Sequence, residues 1–283
     1  MSTPPDLKGS SLFVLITAET SATVANVANE PSLFGKKVIF LHPHSVLNEV
    51  IHLLTAAEFE VYTATDEAKL ARYLRGDPNC LVFVNIDEGP DEGAWRAWIR
   101  SAREALPPGH AGFGALTLQP NEETRSAYLM DVGVECGFVT VTQGASKTAD
   151  ILIKTLEANE ARGRRRYVRA ACQADEADFN YLGDVGAVRG TLRDLSSVGM
   201  SALFTEGGTP KPGTLIKDLQ LNLRGARLRM NGVVLGGHDD HDEGSIRVVM
   251  FDPKSMDDEK RTKLRSFVRK VLQARLDALL IGA

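Results

Sequence analysis

The sequence of 283 residues lacks the features that mark a secreted or membrane-spanning protein. Its three cysteines, Cys80, Cys136 and Cys172, are widely spaced and odd in number, which fits neither a disulfide framework nor a zinc-binding pattern. Strictly apolar runs are short, as at 12–16, whereas a membrane-spanning helix needs about 20 residues. The first residues show no basic stretch followed by an apolar one, as a signal peptide would. We expect a cytoplasmic protein without membrane insertion.

Signatures of catalysis and of nucleic-acid binding are also missing. No Walker loop, GxSxG motif or dinucleotide fingerprint occurs, and no nucleophile is accompanied by a base and an orienting group. Aromatic residues make up 6% of the chain and are not interleaved with basic residues, as base-stacking surfaces require. We expect neither an enzyme nor a nucleic-acid-binding protein.

Charge is distributed unevenly along the chain. Residues 161–283 contain 21 Lys and Arg against 16 Asp and Glu, whereas residues 1–160 contain 12 against 21. At roughly 100–200 residues per domain, the length favours two domains, and the charge favours the same division. We therefore predict domains at 1–160 and 161–283. The second is too weakly basic to indicate nucleic acid, but it is compatible with a local anion site.

The first half alternates strand-like and helix-like segments. The strand candidates are rich in Val, Ile, Leu and Phe and lie at 11–17, 36–42, 59–64, 80–86, 114–118 and 137–141. Several are apolar on both faces, which is typical of strands inside a parallel sheet. Apolar residues recur at helical spacing in 45–57, 93–106 and 146–160. This alternation predicts an α/β fold with a doubly wound parallel sheet.

The second half follows a different pattern. Residues 157–166 contain no apolar residue larger than alanine and predict a helix end that runs into a linker. The strand candidates beyond it are separated by turns rather than helices, at 186–195, 199–204, 214–223, 226–236 and 245–251. Short successive strands with Gly or Pro turns predict an antiparallel barrel or sandwich. A closing helix is predicted over about 256–280, with acidic residues in its first turn.

An arginine run precedes this β region. Arg164, Arg165, Arg166 and Arg169 lie in the segment RRRYVR. A guanidinium can bind a phosphate, or the edge of a guanine, through two parallel hydrogen bonds. A solvated linker is the alternative for such a run of charge.

A second short motif, DLSSVG, lies between two strand candidates and contains Asp194, Ser196 and Gly199. Asp and Ser side chains can donate to or accept from a ligand at a strand end, and glycine permits close backbone approach. Taken alone, the motif also fits an ordinary turn.

Together the two motifs carry a family resemblance. Arg165 and Arg169 form RxxxR, and DxSxxG follows about 25 residues later in a β-rich region. In this order they resemble the binding motif of the PilZ domain family, receptors for the bacterial second messenger cyclic di-GMP. The resemblance covers roughly 161–255 and the closing helix. It implies a six-stranded antiparallel barrel with the RxxxR motif on the segment that leads into it.

The resemblance also implies roles for single residues. Arg165 and Arg169 would hold guanine and phosphate, while Asp194 and Ser196 would bond the edge of another guanine. Gly199 would let its strand pass close to the base. Arg164, directly before the motif, matches family members that bind two intercalated ligand molecules, and we therefore expect two per chain.

The first half resembles a response-regulator receiver, but it departs from that family at three places. Where receivers have an acidic pair, this sequence has His42, Pro43 and His44. Asn85 stands in place of the phosphorylated Asp, and Thr142 and Gln143 stand in place of the lysine. Thr117 matches, and Asp87 follows Asn85 by two residues. Without the acidic pair, the carboxylates that Mg²⁺ prefers are absent. We predict a pseudo-receiver used for packing or partner contact; a different doubly wound domain, favoured by the extra strand at 11–17, is the alternative.

The segment HDDHDE at 238–243 contains side chains of metal-ligand type. Consecutive ligands rarely converge on one ion, and we interpret this segment as a solvated hairpin loop. No metal and no cofactor are predicted.

These patterns lead to a functional hypothesis. We expect a non-catalytic receptor in which cyclic di-GMP orders the segment 157–169 and changes the arrangement of the two domains. The output would be motility or surface behaviour through an unknown flagellar, pilus or signalling partner. Two alternatives are a PilZ-type interaction module that binds no nucleotide and a phosphorelay substrate in which Asp87 accepts a phosphoryl group.

Overall fold

The computed structural model describes residues 35–240 and 244–282, which belong to one compact unit. The strand predicted at 11–17 lies outside the described residues. The boundary at 160/161 stays a prediction. We use the name α/β region for residues 35–158 and barrel region for residues 169–251.

The α/β region contains five parallel strands with helices between them. The strands are β1 (Lys37–Leu41), β2 (Val61–Ala64), β3 (Cys80–Asn85), β4 (Ala111–Thr117) and β5 (Phe138–Thr140). The helices are α1 (Leu47–Ala56), α2 (Glu67–Gly76), α3 (Glu92–Glu104), α4 (Glu122–Ser126), which continues as a π-helical segment over Ala127–Val132, and α5 (Ala145–Ala158). The strand order is β2-β1-β3-β4-β5, and every pairing is parallel. The predicted doubly wound sheet is confirmed.

Burial explains why β1 is apolar on both faces. Val38 and Phe40 belong to the core that α1 and α5 cover, whereas Ile39 and Leu41 belong to the core that α2 and α3 cover. Because successive side chains of a strand point to opposite faces, a strand covered on both sides has no polar positions to alternate with.

Helix α2 was not predicted from the sequence. Its N-cap is Asp66, whose carboxylate accepts a hydrogen bond from the backbone N–H of Lys69 at 2.8 Å. Only Leu70, Tyr73 and Leu74 of this helix are buried. The apolar stripe of α2 is therefore too short to stand out in the sequence, and its clearest mark is the capping residue Asp66.

The barrel region is a closed antiparallel sheet. Its strands are β6 (Arg169–Ala171), β7 (Ala177–Gly183), β8 (Gly186–Ser196), β9 (Gly199–Glu206), β10 (Leu215–Leu223), β11 (Ala226–Asp240) and β12 (Gly244–Phe251). Six of them follow the order β8-β7-β10-β11-β12-β9, and pairing of β8 with β9 closes the barrel. The short β6 pairs with β8. The predicted six-stranded barrel is confirmed, although β6 and β7 were missing from the prediction.

A 25-residue helix, α6 (Asp258–Gly282), follows the barrel and contributes to two hydrophobic cores. Phe267 and Val271 pack in the barrel core, while Leu276 and Leu280 pack in the core that α2 and α3 cover. The predicted closing helix is thus confirmed in position, and its second half covers the other region as well. No helix among residues 35–240 and 244–282 is long and apolar enough to cross a membrane.

Candidate functional site

The pairing of β6 with β8 brings the two sequence motifs together. Arg169 lies opposite Ser196, and Asp194 lies two residues earlier on β8. Directly opposed residues of an antiparallel pair point to the same face, as do residues two apart on one strand. The residues between them, Ala170 and Leu195, are fully buried in the barrel core. Arg169, Asp194 and Ser196 therefore share the outer face of the barrel.

Arg169 and Asp194 are in loose contact on this face. Arg169 Nη1 lies 3.7 Å from Asp194 Oδ1, with the two side chains 43% and 32% exposed. Exposed ion pairs of this kind contribute about 0–1 kcal/mol, so little is lost when a ligand separates them. The arginine offers donors and the aspartate offers acceptors to whatever binds across the pair.

Ser196 is engaged in the turn between β8 and β9. Its hydroxyl donates to the carbonyl of Gly199 at 3.0 Å and accepts from the backbone N–H of Val198 at 3.4 Å, and the residue is 2% exposed. This hydroxyl stabilises the turn in the present conformation. A ligand contact through Ser196 requires the hydroxyl to rotate or the residue to become uncovered.

Gly199 has a structural reason to be glycine. A Cβ at this position would lie 2.6 Å from the carbonyl oxygen of Val249 on β12, closer than such contacts occur. β9 and β12 are paired strands, and Met250 lies opposite Gly199. The close approach of β12 accounts for this residue without a ligand, while the proposed contact with a base stays a prediction.

The segment that carries the other arginines is held at both ends by one turn. We call residues 163–167 the arginine loop and residues 57–60, between α1 and β2, the α1–β2 turn. Before the loop, the guanidinium of Arg162 lies 4.2 Å from the ring centroid of Phe59 and donates to the carbonyl of Ala57 at 3.0 Å. After the loop, the backbone N–H of Val168 donates to Glu58 at 3.1 Å. Arg164 and Arg165 lie exposed between these two points.

Glu58 is the residue on which three segments converge. Besides the N–H of Val168, its carboxylate accepts the hydroxyl of Ser197 at 2.7 Å and Nε of Arg265 at 2.9 Å. The side chain is 10% exposed. The sequence analysis missed this residue, because no local pattern connects position 58 with the linker, the barrel and α6.

A small cavity lies between the arginines and the α1–β2 turn. It measures about 40 Å³ and is lined in part by Arg165, Arg169, Glu58 and Glu60. Burial raises the pKa of Glu60, whose carboxylate also accepts a hydrogen bond from Tyr62. Sites for small-molecule ligands measure about 300–1,000 Å³. In this conformation the space that both arginines share is too small for a dinucleotide.

At the carboxyl edge of the parallel sheet, the polar side chains of Asn85 and Asp87 form hydrogen bonds within the protein. Asn85, which is 2% exposed, donates from Nδ2 to the carbonyl of His42 at 2.9 Å. The carboxylate of Asp87 accepts from the hydroxyl of Thr117 at 2.7 Å and from the backbone N–H of Leu118. Asp87 thus connects the segment after β3 with the segment after β4. Both carboxylate oxygens are used within the protein.

His238, Asp239 and Asp240 lie at the end of β11 and pair with β12, so the loop expected for this segment is wrong at these three residues. Residues 241–243 are outside the described residues. Asp239 pairs with Arg247 at 2.8 Å rather than with a histidine. Among the residues that the structure describes, no group of three His, Cys, Asp or Glu side chains is arranged to hold a metal ion.

Comparison with known proteins gives matches among solved structures. No family model matches the chain, and no curated protein matches it. Escherichia coli YcgR in complex with c-di-GMP is 18% identical, with a TM-score of 0.35, over 41% of this chain and 50% of that one. The K. pneumonia MrkH–c-di-GMP complex is also 18% identical, with a TM-score of 0.34, over 41% of this chain and 56% of that one. This chain thus spans about half the length of each.

A different kind of protein matches as well. The Vibrio cholerae chemotaxis protein CheY4 is 20% identical, with a TM-score of 0.35, over 44% of this chain and 98% of that one. The matching structures thus include proteins with a PilZ domain and a chemotaxis protein, all at low identity.

Proposed function

We propose that this protein is a non-catalytic receptor for cyclic di-GMP, which binds at the outer face of the barrel where β6 and β8 pair. The observation that carries the proposal is the placement of Arg169 and Asp194 side by side on that face, with Arg165 in the loop four residues earlier. The ligand has two phosphates and two guanines. Binding it requires planar cations and a carboxylate that are within reach of one another.

Each part of the ligand has a partner among these residues. Arg165 and Arg169 can each hold a phosphate, or the edge of a guanine, with two donors. The carboxylate of Asp194 can accept the adjacent N–H donors of a guanine. Charge-assisted hydrogen bonds of this kind contribute about 1.5–3 kcal/mol each, which offsets the entropy lost when the arginine loop becomes ordered. Ser196 and Gly199 would complete the site at the β8–β9 turn.

Arg164 bears on the stoichiometry. It is exposed and directly precedes the RxxxR motif, so it can reach a second ligand molecule stacked on the first. We propose two molecules of cyclic di-GMP per chain. A titration that ends at one equivalent would contradict this part of the proposal and leave the receptor function in place.

The test is isothermal titration calorimetry with cyclic di-GMP. We expect binding in the sub- to low-micromolar range for the wild type, and its loss in Arg165→Ala, Arg169→Ala and Asp194→Ala. Arg166→Ala is the matched control, because it removes the same charge from the same loop at a position outside the motif. Its guanidinium lies 5.5 Å from the ring of Tyr167. A wild type that gives neither heat nor a thermal shift would show that the receptor function is wrong.

We further propose that the protein consists of domains 1–160 and 161–283, and that the first contacts a protein partner of the flagellar, pilus or signalling machinery. Binding would then change how the two domains contact each other. A ligand shifts such an equilibrium only by its difference in affinity for the two states. The contacts of Glu58 are where such a difference can arise.

A further inference from the structure

Two of the three donors to Glu58 come from neighbours of the proposed binding residues. Val168 directly precedes Arg169, and Ser197 directly follows Ser196. The third donor, Arg265, lies on α6. A single carboxylate of the α/β region therefore holds the end of the arginine loop and the β8–β9 turn in fixed positions.

In this conformation Arg165 lies against the α1–β2 turn, where it lines the cavity of about 40 Å³ together with Glu58 and Glu60. A dinucleotide does not fit inside this cavity. For the ligand to lie between Arg165 and Asp194, the arginine loop moves away from the turn. Because Val168 directly follows the loop, that movement stretches or breaks its hydrogen bond to Glu58.

The backbone at position 58 allows the side chain to be removed without loss of the turn. Glu58 has a φ of 62°, in the left-handed region, at the turn that ends α1, where the backbone N–H groups of Glu58 and Phe59 donate to the carbonyls of Thr55 and Leu54. Glycine adopts this conformation without cost, so a glycine here keeps the turn and removes the carboxylate.

From these observations we propose that Glu58 is an autoinhibitory latch, a contact that has to break before the ligand binds. The inference rests on the proposed function and names the regulation of that same site. A site that is available in only a fraction of molecules binds with an affinity reduced by that fraction. Loss of the latch raises this fraction, so it tightens binding and loosens the arginine loop in the unliganded protein.

Two variants test the latch, one by removing the acceptor and one by removing a donor. Glu58→Gly removes all three hydrogen bonds and suits the positive φ, so the turn is retained. Ser197→Ala removes one donor without a change of charge. We expect both to bind cyclic di-GMP about 5–50-fold more tightly than the wild type by calorimetry, within the usual range of coupling between sites. Glu104→Gln, an exposed position on α3, is the control for loss of a negative charge.

Trypsin provides a readout that does not depend on the ligand. The arginine loop contains three arginines, and its cleavage rate follows the population of molecules in which it is open. We expect faster cleavage after residues 164–166 in Glu58→Gly and in Ser197→Ala than in the wild type and in Glu104→Gln, all without ligand.

The outcomes separate the latch from the receptor function. Unchanged or weaker binding in both variants, with a wild type that binds, overturns the latch and leaves the receptor function intact. Equally tighter binding in Glu58→Gly and in Glu104→Gln assigns the effect to charge and likewise overturns the latch. If the wild type does not bind, the receptor function is wrong, and an unchanged cleavage rate in both variants then overturns the latch too.

Discussion

Gln273 of α6 pairs with Thr63 of β2 in the way that a neighbouring strand would. The backbone N–H of Thr63 donates to Oε1 of Gln273 at 2.9 Å, and Nε2 of Gln273 donates to the carbonyl of Thr63 at 2.9 Å. Among the described residues, β2 lies at the edge of the parallel sheet, and no strand of this part of the chain pairs with its outer side. One side-chain amide therefore satisfies a donor and an acceptor of this edge and joins α6 to the α/β region.

Replacing this glutamine should destabilise the protein. In Gln273→Ala both hydrogen bonds are lost, and we expect the free energy of unfolding to fall by about 1–2 kcal/mol, measured by urea denaturation. Lys270→Ala, at an exposed position of the same helix, is the control and should change it little. Equal effects of the two substitutions would show that the amide pairing contributes nothing.

A methyl group at Gly199 should destabilise the barrel even when no ligand is present. Its Cβ would meet the carbonyl oxygen of Val249 at 2.6 Å, so β9 and β12 must separate. For Gly199→Ala we expect a loss of about 1–3 kcal/mol in urea denaturation. Gly236→Ala on β11 is the control, because no heavy atom of the described residues lies within 4 Å of its added Cβ. If Gly199→Ala is as stable as the wild type, the glycine is there for another reason, contact with a ligand included.

Acetyl phosphate should leave the protein without an added phosphoryl group. Phosphoryl transfer to a receiver-like aspartate would need Mg²⁺ beside it, and His42, Pro43 and His44 stand where the acidic pair that holds this ion is expected. The carboxylate of Asp87 instead accepts hydrogen bonds from Thr117 and Leu118. Intact-mass measurement checks this, with a receiver that retains the acidic pair treated in parallel. A mass increase that disappears in Asp87→Asn would make this carboxylate a phosphoryl acceptor and revive that alternative.

The free energy of unfolding should decrease in alkaline solution because three cysteines are buried. Burial raises the pKa of Cys80 and Cys136 from the ordinary 9.0 to about 12 and that of Cys172 to about 11. Because the folded-state pKa values are raised, the unfolded chain loses these protons first as the pH rises. The free energy of unfolding should therefore be retained below pH 9 and fall between pH 9 and 12.

Urea denaturation at a series of pH values measures this loss. Cys80→Ser, which removes one of the buried thiols, should make the decline with pH shallower. A decline of the same slope in Cys80→Ser and in the wild type would show that this thiol makes no contribution, and the raised pKa of buried tyrosines such as Tyr62 would then carry the effect.

The sequence predicted what is encoded locally. The strands of the parallel sheet are continuous apolar runs. The RxxxR and DxSxxG motifs each span only a few neighbouring residues, so they can be recognised in one sequence. β7 was missed because only Ala177, Phe179 and Tyr181 alternate inward among polar residues. The pairing of Arg169 with Ser196 follows from strand register, which the spacing of the motifs does not fix.

Long-range contacts were beyond the sequence analysis. Glu58 meets partners at positions 168, 197 and 265, and Gln273 meets Thr63, so no window of the chain contains both members of any pair. The role of Gly199 in the fold was also not visible in the sequence. Its expected contact with the ligand stays a prediction, and the backbone of β12 gives this glycine a reason within the fold as well.

Helix α6 restricts the motions that are open to this protein. Its Phe267 and Val271 are embedded among barrel side chains, and its Leu276 and Leu280 among those of the α/β region. Separating the α/β region from the barrel region would expose either Phe267 and Val271 or Leu276 and Leu280 to water, at a large cost. We therefore expect any response to a ligand to be a small shear displacement of the two regions about α6.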